Sequence, residues 1–97
     1  MTARFDHTII AAKSRQASAD FYQKLLEADV APSWGPFANL KLDGGVLLQF
    51  AEPPIDFPPQ HYAFLVTEDH FDRALARICE HQLDYWADPQ RQRLHET

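Results

Sequence analysis

The chain has 97 residues, a formal net charge of -5 and a pI near 5.4. This length suits one modest core and therefore one domain. The basic residues are scattered apart from a late "RQR", so no positive stripe is available for a nucleic-acid backbone. The N-terminal "MTARFDH" lacks the apolar core of a signal peptide, and every apolar run is far shorter than the roughly 20 residues of a spanning helix. We therefore expect a soluble, cytoplasmic protein that binds neither nucleic acid nor membrane.

The first half of the chain predicts a strand, a helix and further strands. Residues 5–12, "FDHTIIAA", form a short apolar run rich in strand formers. A helix is predicted from an N-cap at Ser14 to about Ala28, with apolar residues along one face. Asp43-Gly44-Gly45 predicts a tight hairpin turn in which the glycines supply positive φ. The strands after the helix are expected near residues 30–34, 37–42 and 45–51.

The second half repeats this order after an exposed connector. The connector "EPPIDFPP" holds four of the seven prolines and excludes both helix and strand. Residues 61–66, "HYAFLV", predict a strand, and a second helix should begin at Thr67 or Glu68. "LDYWADP" predicts a strand that Pro89 stops, and the tail "RQRLHET" supplies at most a weak third one. The expected buried stripe of the second helix is Phe71, Ala74, Leu75 and Ile78.

The two halves align when His61 is set under His7. This 54-residue offset also places Leu75 under Phe21, so the element order and the core positions both recur. The offset puts the counterpart of the last first-half strand beyond Thr97. The second half therefore lacks its closing strand, and a sheet edge is expected to be open there.

The quoted segments resemble the vicinal oxygen chelate superfamily, which includes glyoxalase I, extradiol dioxygenases and bleomycin resistance proteins. The similarity covers nearly the whole chain, including "WGPF" and "YWADPQRQR". It implies an α+β fold of paired βαβββ modules with the second module incomplete. The single domain then spans residues 1–97. Its parts are module one at about 4–52, a linker at 53–59 and partial module two at 60–97.

The resemblance also implies a divalent metal held by side chains of the first and last strands of the modules. His7 and His61 match the first-strand ligands, and Gln49 in "LLQF" matches the last strand of module one. Strand alternation places His7 beside Phe5 and Ile9, which leaves the other face for helix packing. Imidazole ligands suit iron, manganese, nickel, zinc or cobalt. Substrate-pocket candidates are Trp34, Phe37, Phe50, Tyr85 and Trp86.

Two functions stay open at this point. The first is a metal-dependent enzyme of the glyoxalase or extradiol dioxygenase type acting on a small oxygenated molecule. Its missing carboxylate ligand would come from Glu52, Glu96 or a partner chain. The second is a protein that sequesters a small molecule without metal, or a catalytically inactive fragment. An amide at position 49 is a poorer ligand than a carboxylate and cannot act as a general base. A homodimer, possibly formed by strand exchange, is expected in either case.

Overall fold

The computed structural model describes residues 2–87 and 90–97, which form two compact units, one ending at Tyr62 and the other starting at Ala63. Together they give an α+β fold with one four-stranded sheet and two long helices among the described residues. No helix in this part of the chain is long and apolar enough to cross a membrane. The elements are β1 (His7–Ala11), α1 (Arg15–Leu26), β2 (Asp29–Val30), β3 (Ala38–Lys41), β4 (Leu47–Ala51) and α2 (Glu68–Glu80).

The sheet of the first unit has the strand order β1-β4-β3-β2. β1 pairs in parallel with β4, whereas β4 with β3 and β3 with β2 are antiparallel. Register places His7 opposite Leu47 and Ile9 opposite Gln49. Because side chains alternate along a strand, these four residues share one face of the sheet. The predicted strand-helix-strands order of module one is confirmed, with each strand shorter than its sequence suggested.

Helix α1 covers the opposite face of the sheet. The Ser14 side chain accepts a hydrogen bond from the Ala17 amide at 3.3 Å, as an N-cap does, and the helix ends where Glu27 adopts φ 55°. Tyr22 of the helix packs on Phe50 with ring centroids 5.4 Å apart. Phe50 is fully buried. The core of the first unit comprises Ile10, Ala12, Ala19, Ala28, Ala38, Leu40, Leu48 and Phe50.

The turn between β3 and β4 follows the prediction made from its glycines. Asp43–Gly45 form one 3-10 turn, in which Gly44 has φ 78° and Gly45 has φ 83°. The Gly45 amide donates to the Leu42 carbonyl at 3.1 Å, and the Leu42 amide donates to the Val46 carbonyl at 2.8 Å. These bonds close the hairpin and fix which residues of β3 and β4 lie opposite each other.

The structure differs from the sequence prediction at residues 61–66, which include the boundary between the two units and form no strand ladder with the described residues. Burial still alternates there: Tyr62, Phe64 and Val66 are partly buried, and the residues between them are exposed. This alternation is typical of an extended segment with one covered side. A ladder needs a neighbouring strand, and the described residues provide none for this segment, so the prediction of a strand at residues 61–66 was wrong.

Helix α2 begins, as predicted, after Thr67, whose hydroxyl accepts from the His70 amide at 3.2 Å. Its apolar stripe is not buried as expected, since Phe71 remains 45% exposed and no residue of the helix is fully buried. Cys79 of the same helix is also exposed. Pro89, the predicted strand stop, lies outside the described residues.

A short hairpin follows α2. The Ala87 amide donates to the Arg93 carbonyl at 3.1 Å, and the His95 amide donates to the Tyr85 carbonyl at 2.7 Å. These two bonds flank an antiparallel bridge between Trp86 and Leu94. Of the predicted "LDYWADP" strand and the weak strand in the tail, the described residues show this one bridge and no regular strand.

Candidate metal and substrate site

His7 is the first residue of β1, and its side chain lies on the sheet face that α1 does not cover. Its side chain is half exposed, and its Nδ1 lies 2.6 Å from the Asp6 carboxylate. A carboxylate can only accept a hydrogen bond, so the neutral imidazole donates from Nδ1. This tautomer leaves the lone pair on Nε2 available to a ligand. Carboxylate support of this kind orients metal-binding histidines and makes them more basic.

Gln49 lies in the middle of β4 on the same face as His7, and it is only 4% exposed. Across β3 its direct neighbour is Asn39, which is 2% exposed. The Asn39 Nδ2 donates to the Pro32 carbonyl at 3.0 Å, while its buried Oδ1 has no hydrogen-bond partner among the described residues. Two side-chain amides therefore lie side by side on the face that carries His7. Gln49 was a candidate from the sequence and Asn39 was not, because the segment "ANLK" gives no signal for a polar residue that faces inward.

His61 is exposed at the start of the 61–66 segment. Its place in the alternation puts it on the same side as Ala63 and Leu65, away from the partly buried Tyr62 and Phe64. The assignment of His61 as a metal ligand stays a prediction.

The predicted aromatic pocket residues fall into three different environments. Trp34 and Phe37 form an edge-to-face pair with centroids 5.1 Å apart across a turn at Gly35, and Trp34 is 57% exposed. Arg15 holds this turn against the start of α1 by donating to the Gly35 carbonyl at 3.3 Å. Phe50 is a core residue beneath α1, so its assignment to a pocket wall was wrong.

Tyr85 and Trp86 belong to the second unit, where they line an apolar groove beside α2. Partial burial raises the pKa of Tyr85 above its usual value, and the adjacent Cys79 thiol, which is also its hydrogen-bond partner, raises it further. The phenol is therefore neutral at physiological pH. The Asp84 carboxylate lies 3.1 Å from His95 Nε2 at the far side of the same hairpin.

The two carboxylates proposed to complete a metal site have other partners. Glu52 accepts from the Arg15 backbone amide at 2.9 Å, which caps the start of α1. Following the alternation of β4, Glu52 shares the face of Leu48 and Phe50, opposite to that of Gln49. Glu96 pairs with Arg93 at 3.4 Å.

The possible ligand atoms on this face therefore make up only part of a divalent metal site. His7 offers a free, carboxylate-supported nitrogen, and Gln49 offers a neutral oxygen on the same face. Among the described residues no three His, Cys, Asp or Glu side chains are arranged to hold a metal ion. An anionic ligand, where one is used, has to come from outside the residues grouped on this face.

The sequence profile of the Glyoxalase/Bleomycin resistance protein/Dioxygenase superfamily matches residues 4–96. The chain therefore belongs to this superfamily, as the resemblance of the segments around His7 and His61 suggested. A search of the curated proteins found no match.

Two solved structures are similar to the chain over almost its whole length. With "Oxidase ChaP-H2" it shares 45% identity and a TM-score of 0.93, covering 99% of this chain and 76% of that one. With "Oxidase ChaP-H1" the values are 40% and 0.91, covering 98% and 77%. TioX from Micromonospora sp. ML1, at 13% identity and a TM-score of 0.52 over 77% of this chain and 72% of that one, shares the fold alone.

Proposed function

We propose that this protein is a metal-dependent oxidase of the dioxygenase-like type that acts on a small oxygenated organic molecule. The observation that carries the proposal is His7, which stands on the uncovered sheet face with Nε2 free and Nδ1 held by Asp6. The 45% identity to a protein named an oxidase favours oxidation over isomerisation for this member of the superfamily.

Each residue has a defined part in this proposal. His7 and His61 bind the divalent ion, and their imidazole nitrogens suit iron, manganese, nickel, zinc or cobalt. Gln49 contributes its amide oxygen to the ion or its amide hydrogens to the substrate. When bound, the ion supplies Lewis acidity toward adjacent substrate oxygens. Trp34 gives an exposed aromatic surface for a planar substrate.

The proposal includes a homodimer. In the described sheet β1 pairs with β4 alone, which leaves its other side open along the strand that carries His7. An open edge of apolar residues favours pairing with another strand, and Ile9 is 53% exposed there. A partner copy at this edge would also bring carboxylates that the His7 face lacks.

The test is metal content together with solution mass for protein purified without chelators. We expect a near-stoichiometric divalent ion in the native protein and its loss in the His7→Ala, His61→Ala double variant. His81→Ala, at the exposed end of α2, is the matched control and should keep the metal. Circular dichroism should be the same for all three proteins, because none of these histidines is buried.

The alternative is metal-free binding of a small aromatic molecule. It is favoured by the amide at position 49, where a carboxylate would be a stronger ligand. Metal content near zero in the native protein, with unchanged values in both variants, would contradict the oxidase proposal. A thermal shift produced by aromatic ligands in that same metal-free protein would then establish the alternative.

A further inference from the structure

Asn39 carries a buried polar atom that the proposed function does not use. The residue is 2% exposed, and its side-chain Oδ1 is buried without a hydrogen-bond partner among the described residues. Buried polar atoms in native proteins almost always have a partner, because an unpaired one has lost its hydrogen bonds to water and gained none in return. A donor within reach of this oxygen is therefore expected.

The polarity of the Asn39 amide is fixed by the loop that precedes β3. Its Nδ2 donates to the Pro32 carbonyl at 3.0 Å. A carbonyl only accepts, so the reverse orientation of the amide would bring two acceptors together. Pro32 follows β2 in the chain, on the side of β3 that faces away from β4. Because Nδ2 is held on that side, Oδ1 is left for a donor on the side of β4.

Gln49 of β4 is the residue directly across from Asn39. The Asn39 amide donates to the Ser33 hydroxyl at 3.4 Å, and its carbonyl accepts from the Ala31 amide at 3.1 Å. Both backbone groups thus point away from β4, which makes Asn39 and Gln49 a non-hydrogen-bonded pair. In such pairs the Cα atoms are about 4.5 Å apart and the side chains approach most closely. Gln49 is 4% exposed and carries two N–H donors beside the Asn39 amide.

We propose that Asn39 is a positioning residue for Gln49. The Asn39 Oδ1 accepts a hydrogen bond from Gln49 Nε2, and this bond directs Gln49 Oε1 toward the face that carries His7. Rotation about the side-chain torsions of Gln49, the last of which has a broad energy profile, brings Nε2 to this oxygen, which is unpaired among the described residues. The direction of donation is fixed at its far end by the Pro32 carbonyl.

This inference rests on the proposed function for what Gln49 Oε1 contacts, and it decides between the two roles that the proposed function leaves to Gln49. With the oxygen directed outward, the amide presents an acceptor to the site. An acceptor suits a divalent ion or an O–H group of a substrate, and it does not suit an anionic oxygen. Asn39 then supports Gln49 as Asp6 supports His7, which is the usual arrangement of hydrogen-bonded ligands around a metal ion.

The first test is NMR of the side-chain amides in nitrogen-labelled protein treated with a chelator. The Gln49 signals are assigned by their loss in Gln49→Met. Asn39→Asp and Asn39→Leu both remove the bond to Pro32, but only aspartate keeps an acceptor. We expect one Gln49 amide proton to resonate downfield in the native protein, to stay there in Asn39→Asp and to lose this shift in Asn39→Leu. Nuclear Overhauser contacts from the Gln49 amide protons to the Asn39 β-protons report the same bond in the native protein without any substitution.

The second test measures Zn²⁺ affinity by competition with a chelator in a double-mutant cycle. We expect Asn39→Leu to weaken Zn²⁺ binding about tenfold in the native background, within the range for residues that support metal ligands. In the Gln49→Met background the same substitution should have no effect, because Asn39 acts through Gln49. Ser33→Ala is the matched control, since it removes another loop partner of Asn39 and leaves both side-chain amides in place.

Three results would overturn the inference. Absence of the Overhauser contacts, or an unchanged Gln49 amide signal in Asn39→Leu, would show that a buried water and not Gln49 pairs with Oδ1. Equal loss of Zn²⁺ affinity for Asn39→Leu in both backgrounds would show that Asn39 acts through the fold. The amide signals are read without metal, so a protein that binds no Zn²⁺ contradicts the proposed function while the hydrogen bond is decided separately.

Discussion

Asp6 and His7 are adjacent in sequence, and their side chains meet at 2.6 Å although strand alternation separates neighbouring residues. Asp6→Asn keeps an acceptor but removes the charge that supports the imidazole. If His7 binds metal, we expect this substitution to lower metal affinity about 10-fold, within the range for outer partners of metal ligands. The measurement is competition for the ion against a chelator of known affinity.

The control for this prediction is Asp56→Asn in the exposed connector, which changes net charge equally. Stability should hardly change in either variant, since exposed ion pairs contribute about 0–1 kcal/mol. An equal loss of affinity in both variants would mean that overall charge, and not support of His7, controls metal binding.

The sequence singled out His7 through the repeat and the resemblance, and Gln49 through the resemblance alone; as metal ligands both stay predictions. It could not indicate the supporting role of Asp6 or the buried position of Asn39. Asn39 is held by loop atoms, the Pro32 carbonyl and the Ser33 hydroxyl, the latter accepting from its backbone amide at 3.4 Å. Such partners are set by how the loop returns to β3, which no periodicity encodes. Phe50 was misassigned for a related reason, since an aromatic residue looks the same in the sequence whether it lies in a core or lines a pocket.

At the scale of elements, the β3–β4 turn tests how a local conformation fixes register. A Cβ at Gly44 would meet no atom within 4 Å, so a substitution there acts only through the backbone φ of 78°. We expect Gly44→Ala to lower the free energy of unfolding of the first unit by about 1–2 kcal/mol, the cost of a left-handed conformation for an ordinary residue. Chemical denaturation followed by circular dichroism measures this loss.

Gly44→Asn is the matched comparison, because asparagine adopts the left-handed region more readily than alanine. It should be destabilised less than Gly44→Ala. Equal destabilisation by the two residues would indicate that lost contacts, and not φ, explain the effect.

Elements whose signals are local were predicted well, and elements that need a distant partner were not. Ser14, Thr67 and the two turn glycines act on atoms within a few residues, and all four have the predicted roles. The 61–66 segment has the composition and the alternating burial of a strand, yet it forms no ladder with the described residues. Strand-forming residues favour an extended backbone, but the hydrogen bonds that define a sheet form only between two neighbouring strands.

At the scale of the whole molecule, the two units differ in how much apolar surface they bury. Among the described residues, the buried apolar ones, from Ile10 to Phe50, all belong to the first unit, and none of the second unit is buried. Local stability follows buried contacts, so the units should open with different free energies. Hydrogen exchange followed by mass spectrometry reports this difference segment by segment.

We expect the amides of β3 and β4 to exchange at least 10-fold more slowly than those of α2, although α2 is a regular helix of 13 residues. Helical hydrogen bonds alone protect weakly, because isolated helices of about 12–15 residues are marginal in water. Helix α1, of 12 residues, is the internal control: it has similar length but covers the buried Leu48 and Phe50, so its inner face should exchange slowly. Equal protection of α1 and α2 would mean that α2 has a covered apolar face in solution, as a strand or a second copy seated on it would provide.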